Sequence, residues 1–206
     1  MRSLRKQTWG RISLAVALGA FAAYVLLIHD FLAVSRPVSG QVLIVEGWFP
    51  TRPAMREAIE QFTRGKYQLV ICVGGPVPDR DGTLTRSYAE LAANRLVELG
   101  FDQKLVRVVA VSEAEDRRTF GSAVAARDWL MRERPDVEAV DVFTLGVHAR
   151  KSYVIFRKVF EPRFTVGIIA ATESAYAPGR WWASRAGWYI VVRNTLGYLH
   201  SLAQPG

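Results

Sequence analysis

Five short apolar runs, each bounded by turn residues, constrain this chain more than any other feature. They cover residues 42–45, 69–73, 106–111, 139–145 and 165–170. Several are continuous and β-branched rather than alternating, as expected for strands buried on both faces. Helical patterns fill the gaps at 53–64, 84–99, 118–134 and 150–160. Thr51 is a fitting cap for the first, with Pro53 in its opening turn. The second stops on Gly100, and the last two stop before Pro135 and Pro162. Strand–helix alternation at this spacing implies a parallel sheet with helices on both faces. The expected fold is therefore α/β: a Rossmann-like three-layer sandwich with a mostly parallel sheet of about five strands. A last amphipathic segment, 184–202, predicts a C-terminal helix carrying Trp188, Tyr189 and Tyr198.

Ahead of the first strand lies an apolar run, 12–28, interrupted only by Ser13 and tolerating Gly19. At 1.5 Å per residue it sits near the lower limit for crossing about 30 Å of hydrocarbon, and Trp9 and Phe31 extend it into the two interfaces. It shows no polar face, unlike a buried core helix. No small-residue cleavage site follows it, unlike a secretory leader. Arg2, Arg5, Lys6 and Arg11 precede it, whereas Asp30 follows and Arg36 is the next cation. The positive-inside rule then places the N-terminus in the cytoplasm and the main domain outside, in a single pass through the plasma (inner) membrane. The expected organisation is a basic tip and transmembrane anchor (1–34), a short linker (35–40) and one domain (41–206).

The formal net charge is +8. Setting aside the four N-terminal cations and Asp30 leaves 23 basic residues against 18 acidic ones, a net of +5. That balance suits anionic small molecules or an anionic membrane surface. The cations are dispersed and no nucleic-acid motif is present, so no nucleic-acid partner is expected. Cys72, the only cysteine, falls inside an apolar strand and should be a buried thiol; it leaves the redox compartment open.

In an open α/β sheet, ligands bind outside the carboxyl ends of the strands, where helix N-termini also point. Each strand-to-helix connection places cations at or near the first turn of the next helix: Arg52 and Arg56, Arg86, Arg117 and Arg118, Arg150 and Lys151. A cation there opposes the helix dipole at roughly 0.3–1 kcal/mol each when exposed. A shared phosphate or carboxylate, held by helix-start N–H groups and converging side chains, accounts for four such placements. Taken singly, each is equally a solvated charge with a local partner such as Glu57, Glu90 or Asp116. Glu46 ends the first strand, where a carboxylate can bind a hydroxyl, a metal or a proton in flight, or pair with Arg52 or another crevice cation. Gly74-Gly75-Pro76 permits close backbone approach to a ligand or makes a plain tight turn; it is neither G-x-G-x-x-G nor a P-loop. His148, preceded by Gly146, stands where a helix begins. It can serve as general acid or base on a phosphoryl or glycosyl leaving group, or simply bond to the backbone. His29 and His200 are distant in sequence, so no cluster suggests zinc and no metal is expected. Ser122 and Ser152 lack a triad context, and no G-x-S-x-G elbow is present. Trp181 and Trp182 have three uses open to them: stacking on a ligand, meeting a membrane interface, or closing the core beside the last helix.

Taken together, the apolar anchor, Gly74-Gly75 after the second strand, Arg118-Thr119 opening a helix and His148-Ala149-Arg150-Lys151-Ser152 resemble the YdcF/SanA/ElyC family of bacterial envelope domains. The likeness covers about residues 41–170. The family's His is usually followed three residues on by Arg; Lys151 stands there, with Arg150 beside it. A carboxylate usual four residues after the helix-start Thr119 falls on Ala123, and this weakens any role transferred through that position. Glu46-Gly47-Trp48, the segment 87–91 and the Trp181-Trp182 pair set the chain apart as a divergent subgroup. The resemblance implies a Rossmann-like fold and a role in envelope homeostasis, at the level of lipid-carrier or peptidoglycan precursors. It supplies no agreed reaction and assigns no cofactor, although some relatives are thought to bind S-adenosylmethionine.

The resulting expectation is a membrane-anchored envelope protein that binds or processes an anionic, phosphorylated cell-wall or lipid-carrier metabolite. Gly74, Gly75, Arg118, Thr119, Gly146, Arg150 and Lys151 would form the ligand site, with His148 and Glu46 handling protons. Its partners would be a bilayer, through residues 12–28, and the anionic metabolite or a lipid-linked precursor. A non-catalytic interaction protein and a nucleotide- or S-adenosylmethionine-binding domain are the alternatives.

Overall fold

The computed structural model describes residues 2–78, 86–111 and 118–203. Among them, five strands form one all-parallel sheet: β1 (Val42–Glu46), β2 (Leu69–Gly74), β3 (Val106–Ala110), β4 (Ala139–Leu145) and β5 (Thr165–Ala171). Their spatial order is β3-β2-β1-β4-β5. The helices are α1 (Arg2–Leu32), α2 (Arg52–Arg64), α3 (Tyr88–Glu98), α4 (Arg118–Glu133), α5 (Ala149–Phe160) and α6 (Arg185–Ala203). The expected α/β fold is thus present, and the sheet is wholly parallel.

Two-residue periodicity sends alternate side chains to opposite faces. Ile44, Ile71, Val140, Val142 and Ile168 pack with α4 and α5 on one face. Leu43, Val45, Val70, Cys72 and Phe143 pack with α2 and α3 on the other. Every residue of β1 and β2 is buried, which is why these runs are continuously apolar. Cys72 is fully buried, and burial pushes its thiol up to about 12.

Helix starts follow local chemistry. Thr51 Oγ1 accepts from Ala54 N at 3.4 Å to open α2. The helix expected from residue 84 starts only at Tyr88, because Ser87 and Glu90 form a reciprocal capping box: Glu90 N donates to Ser87 Oγ (3.1 Å) and Ser87 N to Glu90 Oε2 (2.6 Å). Arg86–Ser87 instead pairs antiparallel with Pro76–Val77.

Within α1, Ile12–Leu32 is long and apolar enough to cross a membrane. Its last turns also belong to the domain. Leu32 is buried with Val147, Tyr176, Trp181 and Val191, and Tyr24, Val25 and Ile28 pack against that cluster. Trp181 sits in the 3-10 turn Pro178–Ala183 and is 1% exposed. Its Nε1–H donates to the Val25 carbonyl at 3.0 Å. Of its three possible uses, Trp181 closes the core; Trp182 remains exposed.

The segment 35–40, expected as a linker, is pinned to the sheet. Arg36 and Ile168 exchange backbone hydrogen bonds of 2.7 and 3.1 Å in an antiparallel bridge, and Ala170 N donates to Ser35 Oγ at 2.9 Å. At its far end the buried Asp141 of β4 accepts from Val38 N (2.7 Å), Gly40 N (2.9 Å) and the Tyr67 hydroxyl (2.9 Å). This strap carries the chain back along β5 to the edge of the sheet where β1 begins. Gly40 and Gly167 are required here: a Cβ on Gly40 would lie 2.7 Å from the Val140 backbone, and one on Gly167 would collide with Asp141 Oδ1.

Each buried donor left without a partner costs about 1–3 kcal/mol. Asp141→Ala strands three donors and should destabilise the full chain in micelles by at least about 3 kcal/mol, read by denaturant unfolding. Burial, then the charge of Asp141 and the hydrogen bond to it, raises the Tyr67 phenol above its ordinary 10.0. The stability tied to that phenol is complete below pH 10.0 and is lost as the pH climbs past it. Tyr67→Phe should therefore flatten the alkaline fall in melting temperature.

Candidate functional site

The topological switch point lies between β1 and β4: the chain leaves β1 toward β2 and later returns to pair β4 on β1's other side. A cavity of about 560 Å³ opens there at the carboxyl edge of the sheet. That is within the size range of small-molecule sites. The strand ends supply Glu46, Gly74 and Gly75, the start of α4 supplies Arg118, Thr119 and Ser122, and His148 and Lys151 come from the turn into α5. The far wall is α6, with Ile190, Arg193, Asn194 and Gly197.

Glu46 is 2% exposed and accepts the Ser152 hydroxyl at 2.6 Å. That bond replaces the pairing with Arg52 considered from the sequence. His148 Nδ1 lies 2.9 Å from Asn194 Oδ1, and Asn194 Nδ2 donates to the Ile190 carbonyl at 2.8 Å. The amide's orientation decides the tautomer. Its oxygen faces the ring, so Nδ1 carries the proton and Nε2 keeps its lone pair. Trp48 packs on the same ring, 5.0 Å between centroids.

Burial is the main force holding the His148 imidazole below its ordinary range; the charges of Lys151 and Arg193 push the same way, against Glu46 and the Asn194 bond. Lys151 is lowered chiefly by burial, with Arg193 and Arg118 adding to it and Glu46 opposing. Glu173, just past β5, is buried at the cavity wall, where its Oε1 accepts from Ser174 N and Ala175 N at 2.8 Å each. The arrangement is a neutral base at Nε2, a buried carboxylate beneath it, and Lys151, Arg118 and Arg193 from three separate helices. This is chemistry for holding an anion and moving a proton beside it.

Seven of the nine residues singled out in sequence line this cavity: Glu46, Gly74, Gly75, Arg118, Thr119, His148 and Lys151. Two do not. Arg150 turns the other way, donating from Nε to the Phe31 carbonyl at 2.8 Å and stacking over the Phe31 ring at 4.2 Å. It ties α5 to the end of α1, because neighbouring helical positions point about 100° apart. Gly146 serves the turn: its φ of +45° suits glycine, and an added Cβ would meet Glu173 Cβ at 3.3 Å. Gly74 is also constrained by packing, since a Cβ there would stand 2.8 Å from Tyr88 Cβ.

The expected convergence of cations from all four connections is therefore reduced. Arg52, Arg56 and Arg86 are exposed outside the cavity lining, and Arg117 and Asp116 lie outside the described residues. Glu57 accepts from Thr172 N, and Glu90 caps α3. Arg193, Asn194 and Glu173 were missed. The adjacent Arg193-Asn194 in an otherwise apolar helix was the available signal.

Comparison with models of known families, with curated proteins and with solved structures finds no match for this chain. Fold and site define its class: a doubly wound α/β domain with a cavity at its switch point lined by three cations and two carboxylates, and, among the described residues, one helix long and apolar enough to cross a membrane.

An NMR titration of the histidine ring tests the electrostatics. Lys151→Met should raise the His148 pKa, and Glu46→Gln should lower it further. Because the folded value is depressed, the associated stability is present above the ordinary 6.5 and erodes as the pH falls beneath it. Lys151→Met should lessen that acid loss.

Proposed function

We propose that this chain is a single-pass membrane protein whose extracytoplasmic domain binds and processes an anionic, phosphorylated metabolite of the cell-wall or lipid-carrier class. The observation that carries this is the convergence of Arg118, Lys151 and Arg193 on one cavity beside a neutral His148 and a buried Glu46. Placement outside the cytoplasm rests on the basic residues that precede the apolar helix and the acidic one that follows it. The resemblance to the YdcF/SanA/ElyC family supplies the envelope context.

In this reading the three cations hold the anion while His148 Nε2 takes a proton from, or after protonation returns one to, the atom beside it. Glu46, tied to Ser152, favours the protonated ring that forms on the way. Arg150 has no part in the site.

Thermal shift of the full chain in micelles, against inorganic phosphate, polyprenyl phosphates, nucleotide sugars and S-adenosylmethionine, tests the reading. A ligand at a hundred times its Kd should add about 2.7 kcal/mol. The shift should vanish in Arg118→Ala/Lys151→Met, survive in Arg150→Ala, and survive in His148→Ala while turnover is lost. A well-folded chain that no anion stabilises would favour a non-catalytic interaction protein. A shift with S-adenosylmethionine alone would favour cofactor binding.

A further inference from the structure

α6 lies alongside α1, and the two run in the same direction. Phe21 stacks on Trp188 at 6.2 Å, the Tyr24 hydroxyl meets Thr195 Oγ1 at 3.2 Å, and Phe31 meets Tyr198 at 5.5 Å. Successive contacts therefore climb both helices together, and the start of α6 stands beside the middle of the apolar span Ile12–Leu32. The helix offers three faces. One packs on the anchor through Val191 and Tyr198, and a second lines the cavity through Ile190, Asn194 and Gly197.

The third face carries exposed apolar side chains: Tyr189 is 64% exposed, Leu196 62% and Leu199 54%, with Val192 between them, and the Arg193 guanidinium lies at its margin, 5.9 Å over the Tyr189 ring. It is continuous with the outward side of the anchor, where Leu26 and Leu27 are equally bare. Around its lower end stand Trp182 and the exposed Arg180 and Arg185, whose long stems can lie along apolar surface while the charged heads turn toward water.

A helix needs about 20 residues to cross a bilayer, and Tyr24–Leu32 of this one is already packed against the domain. The span can meet that length only if what lies beside its second half enters the bilayer with it. We infer that the domain is seated in the membrane, with lipid occupying the apolar face of α6. The cavity wall is the adjacent face of the same helix, and Asn194 and Gly197 on it stand level with the last turns of the span. An anionic headgroup, or a lipid-carried phosphate, reaches the cavity without leaving the bilayer. This rests on the reading of α1 as a membrane anchor.

Cys72 is the only cysteine and is fully buried, so single cysteines can be introduced without background. The full chain is reconstituted in phosphatidylcholine vesicles opened by freeze–thaw, and labelled with a membrane-impermeant maleimide. Leu18→Cys reports the anchor, Met131→Cys on α4 is the solvent control, and Tyr189→Cys, Leu196→Cys and Leu199→Cys report α6. The expected result is loss of labelling at Leu18→Cys and Tyr189→Cys, with labelling returning progressively through Leu196→Cys to Leu199→Cys; all five react once the chain is unfolded in detergent. If Leu18→Cys labels as readily as Met131→Cys, the anchor reading itself fails. If Leu18→Cys is protected while Tyr189→Cys and Leu196→Cys label like Met131→Cys, the anchor stands and the seating is overturned. Uniform protection along α6 that persists in native micelles would overturn it in favour of a second copy of the chain on that face.

Discussion

The docking of the last turns of α1 onto α6 and the 3-10 turn is the contact on which the site depends. α6 is held by α5 on one side and by α1 on the other. Leu32, Trp181 and Val191 form the buried centre of that contact, and Trp181 is bonded to the backbone of α1 itself. Burying side chains of this size contributes about 1.5–3 kcal/mol each. α6 in turn supplies Arg193 to the cavity and Asn194 to His148. The docking of α1 on α6 therefore bears on how the His148 ring is held, through Asn194.

The strap between anchor and first strand has a related effect. A free linker would let the domain turn and drift above its anchor. Here, Ser35 and Arg36 are bonded along β5, and Asp141 gathers the end of the strap and Tyr67 onto one buried carboxylate. The end of α1 is thereby held against the domain by backbone and side-chain hydrogen bonds rather than left on a free chain.

Electrostatically, the cavity is under-neutralised by design of its neighbours. Both of its carboxylates are bonded by uncharged donors, Glu46 by a serine hydroxyl and Glu173 by backbone N–H groups. Burial is the main cause of the lowered Lys151, and repulsion from Arg193 and Arg118 adds to it. Two like charges about 6 Å apart at an effective dielectric near 20 repel by roughly 3 kcal/mol. An anion entering between them relieves that repulsion, which is how a site can be costly to fold and good at binding.

The sheet, its helices and the apolar span were legible in the chain because they rest on local periodicity and on capping chemistry within a few residues. Glu46, Arg118, Thr119, His148 and Lys151 were legible as well, since strand ends in a parallel sheet all arrive at one edge. Arg150 could not be separated from Lys151 in that way. Which of two adjacent cations enters a cavity depends on helix rotation against α1, and that is settled by Phe31, far away in sequence. Arg193, Asn194 and Glu173 were hidden for the same reason. The sequence by itself determined the layers, the strand-end chemistry and the apolar helix; only the tertiary structure decided that the anchor and α6 pack side by side. That pairing joins residues some 170 positions apart, and its specificity lies in the shape of an aromatic interface rather than in any local pattern.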